Sequence, residues 1–151
     1  MPNRTTAAAQ TYLAFDYGAK QIGVAVGGSH SGLAETLANV QVGRGGPDWA
    51  HISRLIAEWR PDALVVGLPL NMDDSENTMT LAAKTFGNRL RGRYNLPVHR
   101  VDERLTSVDA KNTLVEAGVR FRRRKDQVDK LAAQAILQAF LNEQVDRHGR
   151  G

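Results

Sequence analysis

Three acidic residues stand where secondary-structure elements begin or end: Asp16 in Phe-Asp-Tyr-Gly, Glu103 in Val-Asp-Glu-Arg and Asp129 in Gln-Val-Asp-Lys-Leu-Ala-Ala. Element ends often carry chemistry, because a rigid scaffold positions them while solvent still reaches them. Carboxylates gathered a few ångströms apart repel pairwise by ~4 kcal/mol at an effective dielectric of roughly 20, which invites a divalent cation. The chemistry would be metal-assisted hydrolysis. Two Mg²⁺ or Mn²⁺ ions about 4 Å apart can activate a water and stabilise a leaving oxygen, as phosphodiester hydrolysis demands. Each acid alone also has a plain structural reading. Asp16 can shape a hairpin through a backbone amide, and Glu103 can be a solvated loop acid paired with Arg104. Asp126 and Asp129 can cap a helix and favour its dipole. In the sheet these elements would form, the first strand and the strand before Glu103 are expected as neighbours, with the last helix packed across their ends, so that one metal site collects all three acids.

Cations accompany the acids. Five of the six residues from Arg120 to Lys125 are basic: Arg120, Arg122, Arg123, Arg124 and Lys125. They precede the helix that carries Asp129, so a phosphate backbone held there would pass beside the metals. Such contacts give affinity without sequence choice and weaken as salt rises. The bland alternative is a solubilising loop. Phe121 within the run offers a stacking surface for a base. Lys20 near Asp16 and Arg104 beside Glu103 are placed either to bind the scissile phosphate or to pair with an acid. Asn71, at the mouth of a central strand's loop, is a further candidate substrate contact. His30, His51, His99 and His148 are scattered and suggest no histidine metal cluster, and Trp49 and Trp59 read as packing residues.

The elements that must position these groups fit one domain. A chain of 151 residues buries roughly 68–70% of its unfolded surface, enough for one core. The expected division is a flexible start over 1–10, one domain over 11–144 and a flexible tail over 145–151. Hydrophobic residues at 42% and charged residues at 24% match a folded globular chain, and the net charge is +4. The absence of cysteine excludes thiolate metal sites and disulfides. No run of ~18 apolar residues suggests a membrane span, and the start lacks a signal-peptide core, so a cytoplasmic location is expected.

Tyr12–Tyr17 and Gln21–Gly27 read as a hairpin turned by Gly18-Ala19-Lys20, with Leu33–Val42 as a third strand before a glycine-rich mobile loop. Trp49, Ile52, Leu55, Ile56 and Trp59 recur at helical spacing until Pro61. Ala63–Gly67 is apolar without alternation, as a central parallel strand should be. A loop over Leu68–Asp74, a helix from Ser75 to about Arg91 and a strand over Pro97–Val101 follow. Next come a helix over Ser107–Ala117, with Thr106 and Asp109 at capping-box spacing, and a basic loop over Gly118–Lys125. The final helix is expected over Gln127–Asn142, its apolar face made by Val128, Leu131, Ala132, Ala135, Ile136, Ala139 and Phe140. The order βββαβαβαα predicts an α/β protein with a mixed five-stranded sheet and helices on both faces, the layout of the ribonuclease H-like fold.

Four segments in their correct order resemble the YqgF/RuvX family: Phe-Asp-Tyr-Gly-Ala-Lys-Gln-Ile-Gly-Val-Ala (15–25), Val-Val-Gly-Leu-Pro-Leu-Asn-Met-Asp (65–73), Asp-Glu-Arg-Leu-Thr-Ser (102–107) and Val-Asp-Lys-Leu-Ala-Ala-Gln-Ala-Ile-Leu (128–137). The resemblance spans about Tyr12 to Leu141. It implies a bacterial cytoplasmic nuclease that matures the 5′ end of pre-16S ribosomal RNA, with a ribosomal precursor particle as an expected partner; an older family label is Holliday junction resolvase, acting on branched DNA. It also implies that Asp16, Glu103 and Asp129 are the metal-binding catalytic set, with Asp102 and Asp126 beside them. A monomer or weak homodimer is expected. Two departures stand out: Met72-Asp73-Asp74-Ser75 has Asp where the family often has Gly, and Gly27-Gly28-Ser29-His30 is an unusual strand exit. Asp tolerates the left-handed backbone better than most residues, so the first departure need not break the loop. Two other classes compete. As a nucleotide-binding module, Asp16-Tyr17-Gly18 with Lys20 is also similar to the phosphate loop of actin-like and sugar kinases, and a non-catalytic ribosome-assembly or transcription partner would use the basic loop alone.

Overall fold

A computed structural model describes residues 9–105 and 125–149. The helix expected over Ser107–Ala117, its capping box, and Arg120, Arg122, Arg123 and Arg124 of the basic run lie outside the described residues. The elements are β1 (Thr11–Asp16), β2 (Gln21–Gly28), β3 (Ala34–Gly43), β4 (Gly46–Pro47), α1 (Trp49–Trp59), β5 (Ala63–Leu68), α2 (Thr78–Tyr94), β6 (Val98–Asp102), a 3₁₀ turn (Glu103–Leu105) and α3 (Lys125–Gly149). No described helix is long and apolar enough to cross a membrane.

The sheet has six strands in the order β4-β3-β2-β1-β5-β6. β1, β2 and β3 form the expected antiparallel meander, and β5 lies parallel to both β1 and β6. The sixth strand corrects the five-strand expectation. Gly46–Pro47 folds back on Val42–Gly43, and Gly46 takes φ +102°, so the glycines expected to make a mobile loop instead close a short hairpin. The expectation that β1 and β6 are neighbours also fails. β5 intervenes, as its burial on both faces requires: Ala63 through Gly67 are all buried.

Alternation along the strands divides the core in two. Leu13, Phe15, Ile22, Val24, Leu64 and Val66 face α1 and α2, whose Ile52, Leu55, Ala83, Phe86 and Leu90 complete that layer. Tyr12, Ala14, Ala25, Ala63, Val65 and Val101 face α3 through Ala133, Ile136, Leu137, Phe140 and Leu141. The second face is built largely from alanine, which lets α3 lie close to the strands.

The boundaries of α2 and α3 move from their expected places, whereas α1 ends before Pro61 as expected. α2 starts at Thr78, not Ser75, because Asn77 and Thr80 form a reciprocal capping box. α1 ends where Arg60 turns left-handed at φ 46°, just before Pro61. α3 runs on to Gly149, past the expected end at Asn142 and through most of the expected tail. The buried stripe of α3 is also shifted from the expected face: Ala132 and Ala139 are only half-buried, while Ala133, Leu137 and Leu141 are buried together with Gln134 and Gln138. Gln134 Nε2 donates to the Ala34 carbonyl at 2.9 Å, Gln138 Nε2 to the Gly32 carbonyl at 2.9 Å, and Gln138 Oε1 accepts from Ala34 N–H at 3.0 Å. Counting glutamine as polar surface hid this face; two glutamines four apart inside an apolar helix were the available signal.

Candidate active site at the strand ends

Asp16 closes β1 on the α3 side of the sheet, in alternation with Tyr12 and Ala14. It pairs with Gly23 of β2, and Gly23 pairs with Asn39 of β3. On its other flank, the register Phe15–Val66 brings Gly67 of β5 alongside. Asp16 therefore stands between two residues without side chains, which leaves the sheet surface open around its carboxylate.

Glu103 uses that opening. β1 and β6 are separated by β5, so their backbones lie about 10 Å apart, yet Glu103 folds back over Gly67 from the 3₁₀ turn. Its Cγ and Oε1 each lie 3.0 Å from where a Gly67 Cβ would sit, and Ile136 Cδ1 lies 2.5 Å from the same point. Gly67, alongside Asp16 in the neighbouring strand, is thus the floor over which Glu103 lies. The 3₁₀ turn also touches α3. Asp129 lies in the early part of α3, seven residues before Ile136, or about 10 Å along the helix axis. Helical repeat thus puts position 129 in line with Ala133 and Ile136, which pack on this face. Among the described residues no group of three acidic or histidine side chains is assembled to hold a metal.

Asp102, one residue before Glu103, serves a different structure. Arg104 Nε donates to Asp102 Oδ1 and Oδ2 at 3.0 and 3.1 Å, and its second terminal nitrogen reaches Asp102 Oδ2 and Asp74 Oδ1, each at 2.6 Å. Its first terminal nitrogen donates to the carbonyls of Asn71 and Met72 at 3.1 and 3.2 Å. Every guanidinium nitrogen is engaged, so Arg104 clamps the 69–77 loop to the end of β6. These bonds to Arg104 hold the Asp102 carboxyl below the usual carboxylate range. Asn71 works within the same loop. Its Nδ2 donates to Ser75 Oγ at 2.9 Å, and its Oδ1 accepts from Asn77 Nδ2 at 3.0 Å. Ser75 donates to Asp73 Oδ1 from both Oγ and N, which lowers the Asp73 pKa. Asp74 has φ +73°, the left-handed backbone that the Asp-for-Gly departure required.

Lys20 is exposed in the turn that follows Asp16. Gly18 makes that turn possible, since a Cβ there would meet the Gln21 carbonyl oxygen at 2.5 Å. Lys125 is the first residue of α3. The Gly27-Gly28 exit from β2 is a tight reversal: Cβ atoms there would meet the Leu33 and Gln10 carbonyl oxygens at 2.7 and 2.6 Å. It lies at the opposite end of the sheet from Asp16. Sequence reasoning missed Gly67 as a site residue, although a glycine inside an apolar strand signals close approach by another group.

The profile of the RuvX family, described as Holliday junction resolvase, matches residues 10–143. A "Putative pre-16S rRNA nuclease" of Pseudomonas putida is 52% identical over 130 residues, covering 85% of this chain and 92% of the relative. Relatives bearing the same name from Azotobacter vinelandii and Glaesserella parasuis are 49% and 48% identical, over 87% and 89% of this chain and 92% and 98% of theirs. Among solved structures, Thermus thermophilus RuvC in complex with Holliday junction substrate superposes with TM-score 0.56 at 14% identity, covering 89% of this chain and 96% of that one. The fowlpox virus Holliday junction resolvase superposes with TM-score 0.53 at 11% identity, covering 88% and 99%. The architecture is thus the ribonuclease H-like fold of those resolvases, and the chain belongs to the RuvX family.

Proposed function

We propose that this protein is a metal-dependent nuclease that hydrolyses phosphodiester bonds of precursor 16S ribosomal RNA at its 5′ end, in the bacterial cytoplasm. The observation that supports the reading is that Glu103 lies over Gly67, on the sheet face and beside the strand position that carries Asp16, in a chain about half identical to relatives bearing the pre-16S rRNA nuclease name. Asp16, Glu103 and Asp129 would hold the Mg²⁺ or Mn²⁺ ions. The donor set fits hard cations: carboxylate oxygens, with no cysteine in the chain. When bound, such ions supply a nucleophilic hydroxide and stabilise the leaving oxygen. The chain's own residues do the positioning. The length of the Glu103 side chain is what brings its carboxylate from the 3₁₀ turn over Gly67 of β5. Lys20, in the turn that follows Asp16, would bind a phosphate oxygen, and Asn71, in the loop held by Arg104, would contact the substrate near the same strand ends. Arg120, Arg122, Arg123, Arg124 and Lys125 would neutralise the flanking phosphates.

The experiment is cleavage of an end-labelled precursor 16S RNA and of a four-way DNA junction, with Mg²⁺ or Mn²⁺, by wild type, Asp16→Asn and Glu103→Gln. The expected result is metal-dependent cutting of the RNA, lost by about 100-fold or more in both variants. Cutting of the junction instead would move the assignment to the resolvase activity in the family's description. Undiminished cutting by folded Asp16→Asn would overturn the catalytic assignment.

A further inference from the structure

α2 carries Lys84, Arg89, Arg91 and Arg93 and no acidic residue. Two of these are already committed: Lys84 pairs with Glu76, and the Arg93 guanidinium lies 4.1 Å over the Trp49 ring. Arg91 stands on the flank of α2 that faces β6, three residues after Asn88, so the two side chains share one face. From β6, Arg100 donates to Asn88 Oδ1 at 2.9 Å. Gly87 adds no side chain between helix and strand. The result is an open cleft of about 370 Å³ lined by Gly87, Asn88, Arg91, Val98, His99 and Arg100. Neither Arg91 nor Arg100 has an acidic partner among the described residues.

The cleft lies on the α2 face of the sheet, opposite the face that carries Asp16, but level with the candidate active site along the strands. Arg100 pairs with Val66, and Val66 with Phe15, so it occupies the row immediately before Asp16 and Gly67. It is two residues, about 7 Å, from Asp102 at the strand's end. β6 is the outermost strand of the sheet. The geometry points to this cleft as a second contact for the nucleic-acid backbone, with phosphates received by Arg91, Arg100 and the Asn88 amide while the scissile bond lies at the strand ends. This rests on the nuclease reading and extends the substrate path around the β6 edge. Charge complementarity favours a polyanion over a free anion: both arginines are exposed, and exposed charges hold a single phosphate weakly in water. A polymer that also binds elsewhere gains from each added contact by releasing counterions.

The test is binding of a fluorescein-labelled RNA duplex, followed by anisotropy from low to high salt. The proteins are wild type, Arg91→Gln/Arg100→Gln, and Arg54→Gln/Arg60→Asn, which removes the same charge from α1. Circular dichroism confirms each fold. Loss of two phosphate contacts should lower the slope of log affinity against log salt by roughly 1.4–1.8 and weaken binding about 30-fold at 0.1 M salt, while the α1 pair changes little. An unchanged slope in the cleft variant, or an equal fall in the α1 variant, refutes the cleft, and an acidic protein partner becomes the better occupant. Absence of wild-type binding refutes it as well. The nuclease reading fails separately: if the slope falls as expected but wild type cuts neither RNA nor junction, the cleft stands and catalysis does not.

Discussion

Replacing Gly67 by alanine tests the support beneath Glu103. A Cβ at this position would lie 2.5 Å from Ile136 Cδ1 and 3.0 Å from Glu103 Cγ and Oε1, so reaching an ordinary contact of 3.4 Å requires withdrawals of about 0.9 Å and 0.4 Å. Ile136 is 1% exposed and has little room to yield. Overpacking of this kind costs about 1–3 kcal/mol, partly offset by the reduced freedom of alanine in the unfolded chain. A net loss of about 1–2 kcal/mol should appear in urea denaturation. Since a misplacement of ~1 Å can cost about 100-fold in rate, the smaller shift of Glu103 should lower cleavage by roughly tenfold or more. Adding Ile136→Val removes the crowding methyl and separates the two effects. The double variant should come within about 1 kcal/mol of Ile136→Val alone, while its cleavage rate stays low. Full activity in Gly67→Ala, or recovery of activity together with stability in the double variant, would refute the claim that Gly67 exists to make room for Glu103.

Two further perturbations probe the loop beside the site. Asp74→Gly should be neutral or stabilising by about 0.5 kcal/mol in urea melts, because glycine removes the left-handed strain at φ +73°. The ion pair it deletes involves a side chain that is 81% exposed, which makes it a small loss. Asp102→Asn should destabilise by about 1.5–3 kcal/mol at pH 7, since it breaks charge-assisted bonds to Arg104. The Asp102 pKa is depressed in the fold, so its contribution is present above an unfolded carboxylate pKa of about 3.9 and fades as pH falls through the lower folded value. Urea midpoints of wild type and Asp102→Asn should therefore converge only in strong acid; a constant gap down to pH 2 would contradict the assignment.

Much of the fold was legible because alternation and apolar runs report burial directly. The hairpin of β1 and β2, the doubly buried β5 and the amphipathic α1 all follow from pattern alone. Strand order was less accessible. Nothing local to Phe15 or Val101 says which strand lies between them, and only the two-sided burial of β5 carried that information. Acids at element ends were easy to find, but their division of labour was not: adjacent Asp102 and Glu103 differ because one is bonded by Arg104 and the other lies on Gly67. Arg104, read as a phosphate ligand or an acid's partner, proves to be a clamp. That role depends on a loop some thirty residues earlier in the chain.

The bonds from Gln134 and Gln138 to Gly32 and Ala34 join segments about a hundred residues apart in sequence. Closing so long a loop is slow compared with pairing the neighbouring strands β1, β2 and β3. During synthesis the meander can therefore form well before α3 emerges to cover it, leaving Asp16 in place without the helix that carries position 129. Under the proposed assignment such a nascent chain would already present a folded sheet yet be unable to cut, so the cell would meet the enzyme as a nuclease only after α3 had been made and had docked.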